Sequence, residues 1–157
     1  MILPPSAVQT KWPSPVGELV LVASDEGLHF VGLPLGLQMA KVGSHPTLQK
    51  TVKQLEEYFS RRDRSFDLPL VPQGTNFQKR AWRELQKIPF GQTISYKEQA
   101  GRLGDYKKAR AVGFANSQNP WLIIVPCHRV IGADGSLGGY SGGVEIKKLL
   151  LNFERSS

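Results

Sequence analysis

The sequence predicts an α+β fold: a small sheet-and-helix domain over residues 1–73, followed by a helical domain over residues 74–157 that carries a helix-turn-helix. Three observations point there. Apolar, β-branched runs separated by a turn dominate the first half. Capping residues followed by apolar residues at helical spacing dominate the second. The charge is also divided: residues 1–73 carry 4 Lys and 3 Arg against 7 acids, while residues 74–157 carry 7 Lys and 6 Arg against 6 acids, so the whole excess of +7 lies in the second half.

In the first half, Val16 to Ala23 is apolar and β-branched, Ser24-Asp25-Glu26-Gly27 supplies a turn, and Leu28 to Leu33 resumes the apolar run. That pattern predicts a hairpin. Leu48, Val52, Leu55 and Phe59 share one face of a predicted helix over Thr47 to Phe59. Phe66 to Leu70 reads as a further strand, which Pro69 restricts to an edge. His29 and His45 have no partner pattern and read as structural.

The second half opens with Thr75-Asn76-Phe77-Gln78, a capping box, and Phe77, Ala81, Leu85 and Ile88 follow on one face before Pro89 and Gly91 end the helix. A second box, Ser95-Tyr96-Lys97-Glu98, starts a short helix from Tyr96 to about Leu103. Gly104-Asp105 is a turn, and a third helix runs from about Lys107 to Ser117. Two short helices around a tight glycine turn suggest a helix-turn-helix, although spacing alone does not separate it from any helical hairpin. Trp121 to Val125 reads as a buried strand between Pro120 and Pro126. Six glycines fall within Gly132 to Gly143, and Val144 to Phe153 closes the chain as an amphipathic helix.

Composition narrows the function. No apolar run approaches the roughly 18 residues of a membrane span, and Met1 to Lys11 lacks the basic start and long apolar region of a secretory signal. A single cysteine excludes an internal disulfide and suits a reducing, cytoplasmic compartment. One Cys and three scattered His offer no metal-ligand spacing. The one-sided basic charge favours an anionic partner, nucleic acid being the commonest.

The sharpest chemical feature is Pro126-Cys127-His128-Arg129-Val130. A thiolate is the reactive form of cysteine, and a base or positive charge beside it favours that form. On residue type alone, a buried structural cysteine is the commoner case. In an extended strand Cys127 and His128 would also point to opposite faces, so proton transfer between them requires a sharp turn or a bridging water. Gly139-Tyr140-Ser141-Gly142-Gly143 matches a nucleophile elbow in form, but all three histidines precede Ser141, the wrong order for that hydrolase arrangement. In Lys107 to Ala115, the mid-helix Gly113 costs about 1 kcal/mol relative to alanine. Close approach of another helix, or of DNA, would account for it.

Taken together, Ile94-Ser95-Tyr96, Ala109-Arg110-Ala111-Val112-Gly113, Asn119-Pro120, Pro126 to Val130, Tyr140-Ser141-Gly142-Gly143 and Leu150 to Glu154 closely resemble the O6-alkylguanine-DNA alkyltransferases, strongly over about residues 74–154. The resemblance implies a ribonuclease-H-like N-terminal domain. It implies a C-terminal domain that binds double-stranded DNA through the minor groove, flips out an O6-alkylguanine and moves the alkyl group irreversibly onto Cys127, acting once, as a monomer and without a cofactor. It further implies that His128 takes the thiol proton through a water, that Glu154 orients His128, that Tyr96 donates to the departing guanine, and that Asn119 braces the turn from recognition helix to active site. Arg110 would fill the gap left by the flipped base. The Ser141 amide would bind O6, the carbonyls of Cys127 and Val130 would hold the exocyclic amine, and Tyr140 would pack on the alkyl side. Ser95, Ala109, Gly113 and Arg129 complete the expected DNA and substrate contacts.

One departure concerns Leu122, which stands where many members have a second proline of the pocket wall and bears on the size of alkyl group accepted. Two other functions compete with this reading. A non-enzymatic lesion sensor of this fold would lack the cysteine, and a thiol hydrolase built on Cys127, His128 and Glu154 would leave Arg110 and the small-residue helix without a role.

Overall fold

The computed structural model describes residues 1–36, 38–61, 65–138, 140 and 142–156, in two compact units, Met1–Gln73 and Gly74–Ser157. The first holds strands β1 (Val8–Ser14), β2 (Gly17–Ser24), β3 (Gly27–Gly32) and β4 (Lys41–Val42), and helix α1 (Pro46–Ser60). They form one sheet in the order β3-β2-β1-β4, antiparallel except for the parallel β1–β4 pair. The central strand β2 is buried without a break from Leu19 to Ser24, because both its faces are covered. Val20 and Val22 pack with Ala7 against Leu3, Phe30, Met39 and Ala40, while Leu19 and Leu21 alternate to the other face, and α1 packs against β1, β2 and β3.

The predicted hairpin is β2–β3. Its Gly27 adopts φ +139°, and a Cβ there would lie 2.3 Å from the Pro69 carbonyl oxygen, so only glycine fits. β1, whose alternation is weak, was not anticipated. The expected strand over Phe66 to Leu70 is corrected to a single parallel bridge between Leu28 and Leu70. Leu28 N donates to Pro69 O at 2.6 Å and Val71 N donates to Leu28 O at 3.0 Å. Pro69 has no N–H with which to extend the ladder. Helix α1 buries Leu48, Thr51, Leu55 and Tyr58, one residue off the expected stripe at two positions. Its N-cap is His45, whose Nδ1 accepts from Thr47 N at 3.1 Å while Nε2 meets Asp25 at 2.9 Å.

The second unit contains α2 (Asn76–Leu85), β5 (Ile94–Ser95), α3 (Tyr96–Arg102), α4 (Ala109–Ser117), β6 (Val130–Ile131) and α5 (Val144–Arg155). Thr75 and Gln78 form the anticipated reciprocal capping box of α2. That helix stops at Leu85 rather than near Ile88, which is reached through two turns and is still buried. Ser95 Oγ caps α3 by accepting from Glu98 N at 3.0 Å. The α3–α4 hairpin turns through Gly104 and a 3₁₀ turn at Tyr106–Lys108. Its angle is held by a buried reciprocal amide pair: Gln99 Nε2 donates to Asn116 Oδ1 at 3.1 Å, and Asn116 Nδ2 donates to Gln99 Oε1 at 2.8 Å. Trp82 donates to Ala115 O at 2.9 Å and meets Trp121 edge-on, tying α2 to the hairpin and to the segment beyond it. No helix among the described residues is long and apolar enough to cross a membrane.

Candidate active site

Trp121 to Val125 is buried but is not a strand, which corrects the sequence expectation. The run folds on itself: Ile124 N donates to Leu122 O at 2.8 Å, Val125 N to Trp121 O at 3.1 Å, and Ile123 sits at φ +72°. A buried coil must satisfy its backbone groups without a neighbouring strand, and Asn119 does so. Its Oδ1 accepts from Trp121 N at 3.0 Å, and its Nδ2 is shared among Trp121 O at 3.3 Å, Val125 O at 2.8 Å and Cys127 Sγ at 3.2 Å. One amide thus holds the turn and donates to the sulfur.

Cys127, His128 and Arg129 form a buried 3₁₀ turn, so the face-alternation of a strand does not apply to them. His128 Nε2 meets Glu154 Oε2 on α5 at 2.7 Å. An ionised carboxylate only accepts, so Nε2 carries the proton and Nδ1 is left as the basic nitrogen. Nδ1 is buried and has no hydrogen-bond partner among the described residues. Burial pushes the His128 pKa below the ordinary imidazole value despite Glu154, so the ring is neutral and able to accept a proton. For Glu154, burial disfavours the charge, yet hydrogen bonds from His128 and Arg129, with their charge, hold its pKa well below the usual carboxylate range. Burial raises the Cys127 thiol to about 11, opposed by the Asn119 hydrogen bond and the charge of Lys147. The resting sulfur is a thiol that needs a base.

Arg129 is placed differently from the expectation of a substrate or DNA contact. It is buried, with Nε donating to Glu154 Oε1 at 2.8 Å, Nη2 to Glu154 Oε2 at 2.9 Å and Nη1 to Ile88 O at 2.7 Å. Two of these three bonds fix Glu154, and Gly91 N donates to the same carboxylate at 3.2 Å.

Pairing of Ile94 with Val130 and of Ser95 with Ile131 brings the start of α3 beside the cysteine turn. Tyr96, half-buried, thereby comes near Cys127, and burial together with thiolate charge raises its phenol pKa. The residue that sequence reasoning missed is Lys147, fully buried on α5. Its Nζ donates to Val130 O at 2.6 Å, to Tyr96 OH at 3.2 Å and to Leu137 O. Burial lowers its pKa to about 8. The signal was present: Lys147, Leu150, Leu151 and Glu154 lie at i, i+3, i+4 and i+7 on one buried face, so a cation occupies a core position. Val130 O, expected to hold a guanine amine, already accepts from Lys147 and keeps one further lone pair. Gly138, at φ +66°, lets the loop close over the phenol, since a Cβ there would lie 2.6 Å from Tyr96 OH. Tyr140 is buried with its ring edge-on to His128, and Leu122 is buried beside Gly142, where a Cβ would lie 3.0 Å from Leu122 Cδ1. Ser141 lies outside the described residues.

Residues 76–156 match the family model described as 6-O-methylguanine DNA methyltransferase, DNA binding domain, and residues 8–72 match the ribonuclease-like domain of the same name. The chain belongs to the 6-O-methylguanine DNA methyltransferase family. A methylated-DNA–protein-cysteine methyltransferase of Methanosarcina acetivorans is 45% identical over 148 residues, covering 91% of this chain and 95% of its own. The crystal structure of the Mycobacterium tuberculosis O6-methylguanine methyltransferase superposes with a TM-score of 0.85 at 39% identity, covering 96% of this chain and 93% of its own. That of M. tuberculosis OGT in complex with DNA gives 0.84 at 40% identity, covering 96% and 92%.

In this member of the methyltransferase family the helix expected to read DNA is α4. It buries Val112, Ala115 and Asn116 and leaves Arg110 exposed, with Ala109 and Gly113 half-buried near its start and middle. Helix packing does not require Gly113: a Cβ there would meet only the Tyr96 ring, at an ordinary 3.7 Å. Of the two explanations for that glycine, close approach of another helix is therefore removed. Ser95 serves as the N-cap of α3.

Proposed function

We propose that the protein repairs DNA by direct reversal, transferring an alkyl group from O6-alkylguanine in duplex DNA to Cys127, once per molecule. The observation that carries the proposal is the buried Cys127–His128–Glu154 set: a high-pKa thiol, a neutral imidazole whose basic nitrogen has no partner among the described residues, and a carboxylate locked ionised behind it. The Sγ–alkyl bond forms as the alkyl–O6 bond breaks. The thiol proton passes to His128 Nδ1, directly or through a water, and the electron pair leaves on the guanine. Tyr96, kept protonated by its raised pKa, donates to the guanine ring, and Lys147 behind it stabilises the oxygen left charged. Asn119 and Lys147 favour the developing thiolate. A thiol cannot reach O6 substituents inside a stacked duplex, so the base must be flipped. The basic second unit, with Arg110 exposed on α4 as the side chain that replaces the flipped base, supports that step. The protein acts as a monomer, in a reducing compartment such as the cytoplasm that keeps Cys127 a thiol.

Cys127→Ala tests this reading. The variant is expected to lose all transfer from an O6-methylguanine duplex while binding that duplex within about twofold of wild type, because no phosphate contact is removed. Methyl clearance by the variant would mean that another group is the acceptor.

A further inference from the structure

Helix α4 presents one aromatic residue to solvent. Of the seven phenylalanines, six are at least partly buried, whereas Phe114 is 64% exposed. It lies one helical turn beyond Arg110, and side chains at i and i+4 stand side by side on a helix surface. Arg110, Ala111 and Phe114 are the exposed residues of α4, and its C-cap Gln118 is exposed just beyond them. The face is otherwise cationic, small or polar, with Lys107 exposed just before it. Tyr106, the nearest other exposed aromatic, is turned onto α3, where a Cβ at Gly101 would lie 2.4 Å from its Cε1. Phe114 therefore has no apolar surround of the kind that buries a protein partner. Its surround suits a polyanion, and the second unit carries the chain's whole net charge of +7.

An apolar ring on a cationic, small-residue helix has a recognised use: wedging between base steps in a minor groove. We propose that Phe114 is a second wedge for duplex DNA, entering the minor groove beside Arg110 and stacking against the base pair that flanks the flipped nucleotide. The proposal rests on the function argued above and adds a residue to it. Arg110 fills the vacated position, and Phe114 holds open the neighbouring step, where stacking is weakened once its partner leaves. Base–aromatic stacking tolerates any sequence, because every base has a π-face, so the wedge adds opening power without sequence preference.

The test is the ratio of two single-turnover rates, on an O6-methylguanine duplex and on free O6-benzylguanine, for the full chain and two variants. For Phe114→Ala the duplex-to-free-base ratio is expected to fall about tenfold, the scale of one lost base–aromatic stack. Phe114→Leu, which keeps an apolar wedge, is expected to recover most of that loss. An unchanged ratio for Phe114→Ala overturns the inference, as does an equal loss on both substrates, which would place Phe114 in support of the active site. If the wild-type chain itself fails to react with the duplex, the functional reading falls and the wedge falls with it, an outcome distinct from an active wild type with an indifferent variant.

Discussion

Each unit of the molecule contains one fully buried histidine, and the two have much in common. His29 on β3 and His128 in the cysteine turn are at most 1% exposed, both have pKa values lowered by burial, and both leave Nδ1 without a partner among the described residues. They differ at Nε2. His29 meets the Ser24 hydroxyl at 2.7 Å, a partner that can donate or accept and so does not fix the tautomer. His128 meets an ionised carboxylate, itself held by Arg129 and Gly91, which fixes the proton on Nε2 and aims a basic nitrogen inward. Burial and a shifted pKa are thus shared by His29 and by the histidine proposed as the general base. The ordered carboxylate behind the ring, and the sole cysteine before it, separate them.

The comparison breaks most visibly by deletion. His128→Ala is expected to slow transfer by at least about a hundredfold, within the usual range for a general base. A thiol at about 11 carries thiolate in only about one molecule in ten thousand at pH 7 without such help. His29→Ala is expected to lower the melting temperature but leave the rate per folded molecule within about twofold. Free-base transfer kinetics with thermal melts on both variants decide this, and equal rate losses would erase the distinction.

A smaller effect is expected at the proposed DNA face. Arg110→Ala is expected to slow repair of duplex DNA by about tenfold or more while changing reaction with a free base little, since a free base needs no flipping. Equal losses on the two substrates would contradict its role.

The smallest effect is one of pH, and both histidines contribute. Each is neutral in the fold and has a lowered pKa, so the unfolded chain takes up a proton at higher pH than the folded one. Stability is therefore full above about 6.5 and declines as pH falls below it. Only His128 should also shape the rate, giving an acid limb that lies below the ordinary imidazole value. A free-base rate profile with its acid limb at or above 6.5 would contradict a neutral, buried base.

What was legible in the sequence was local. Thr75 with Gln78, Ser95 before Tyr96, and Gly104 between two helices announce their roles because the partners lie within four residues. The segment Trp121 to Val125 was misread because a buried apolar run looks the same whether a strand or a side chain satisfies its backbone, and the amide responsible, Asn119, reaches as far as Val125 and Cys127. The expected DNA or substrate contact of Arg129 gives way to an engagement with Glu154, 25 residues away, which no local pattern marks. Helical spacing puts Lys147 on the buried face of α5, but its partners, the main-chain carbonyls of Val130 and Leu137 and the Tyr96 phenol, lie far away in the sequence and leave no local mark.

On the proposed function, Cys127 accepts the alkyl group and keeps it. Attack by sulfur on an alkyl carbon yields a thioether, which has no carbonyl for water to attack, unlike the acyl-enzyme of a cysteine hydrolase. The direct measurement is stoichiometry: mix the protein with an excess of O6-methylguanine duplex, count repaired bases per protein, and weigh the peptide that contains Cys127. A plateau at about one repaired base per molecule and one added methyl mass on that peptide are expected. Continued turnover with an unmodified peptide would contradict the proposed function.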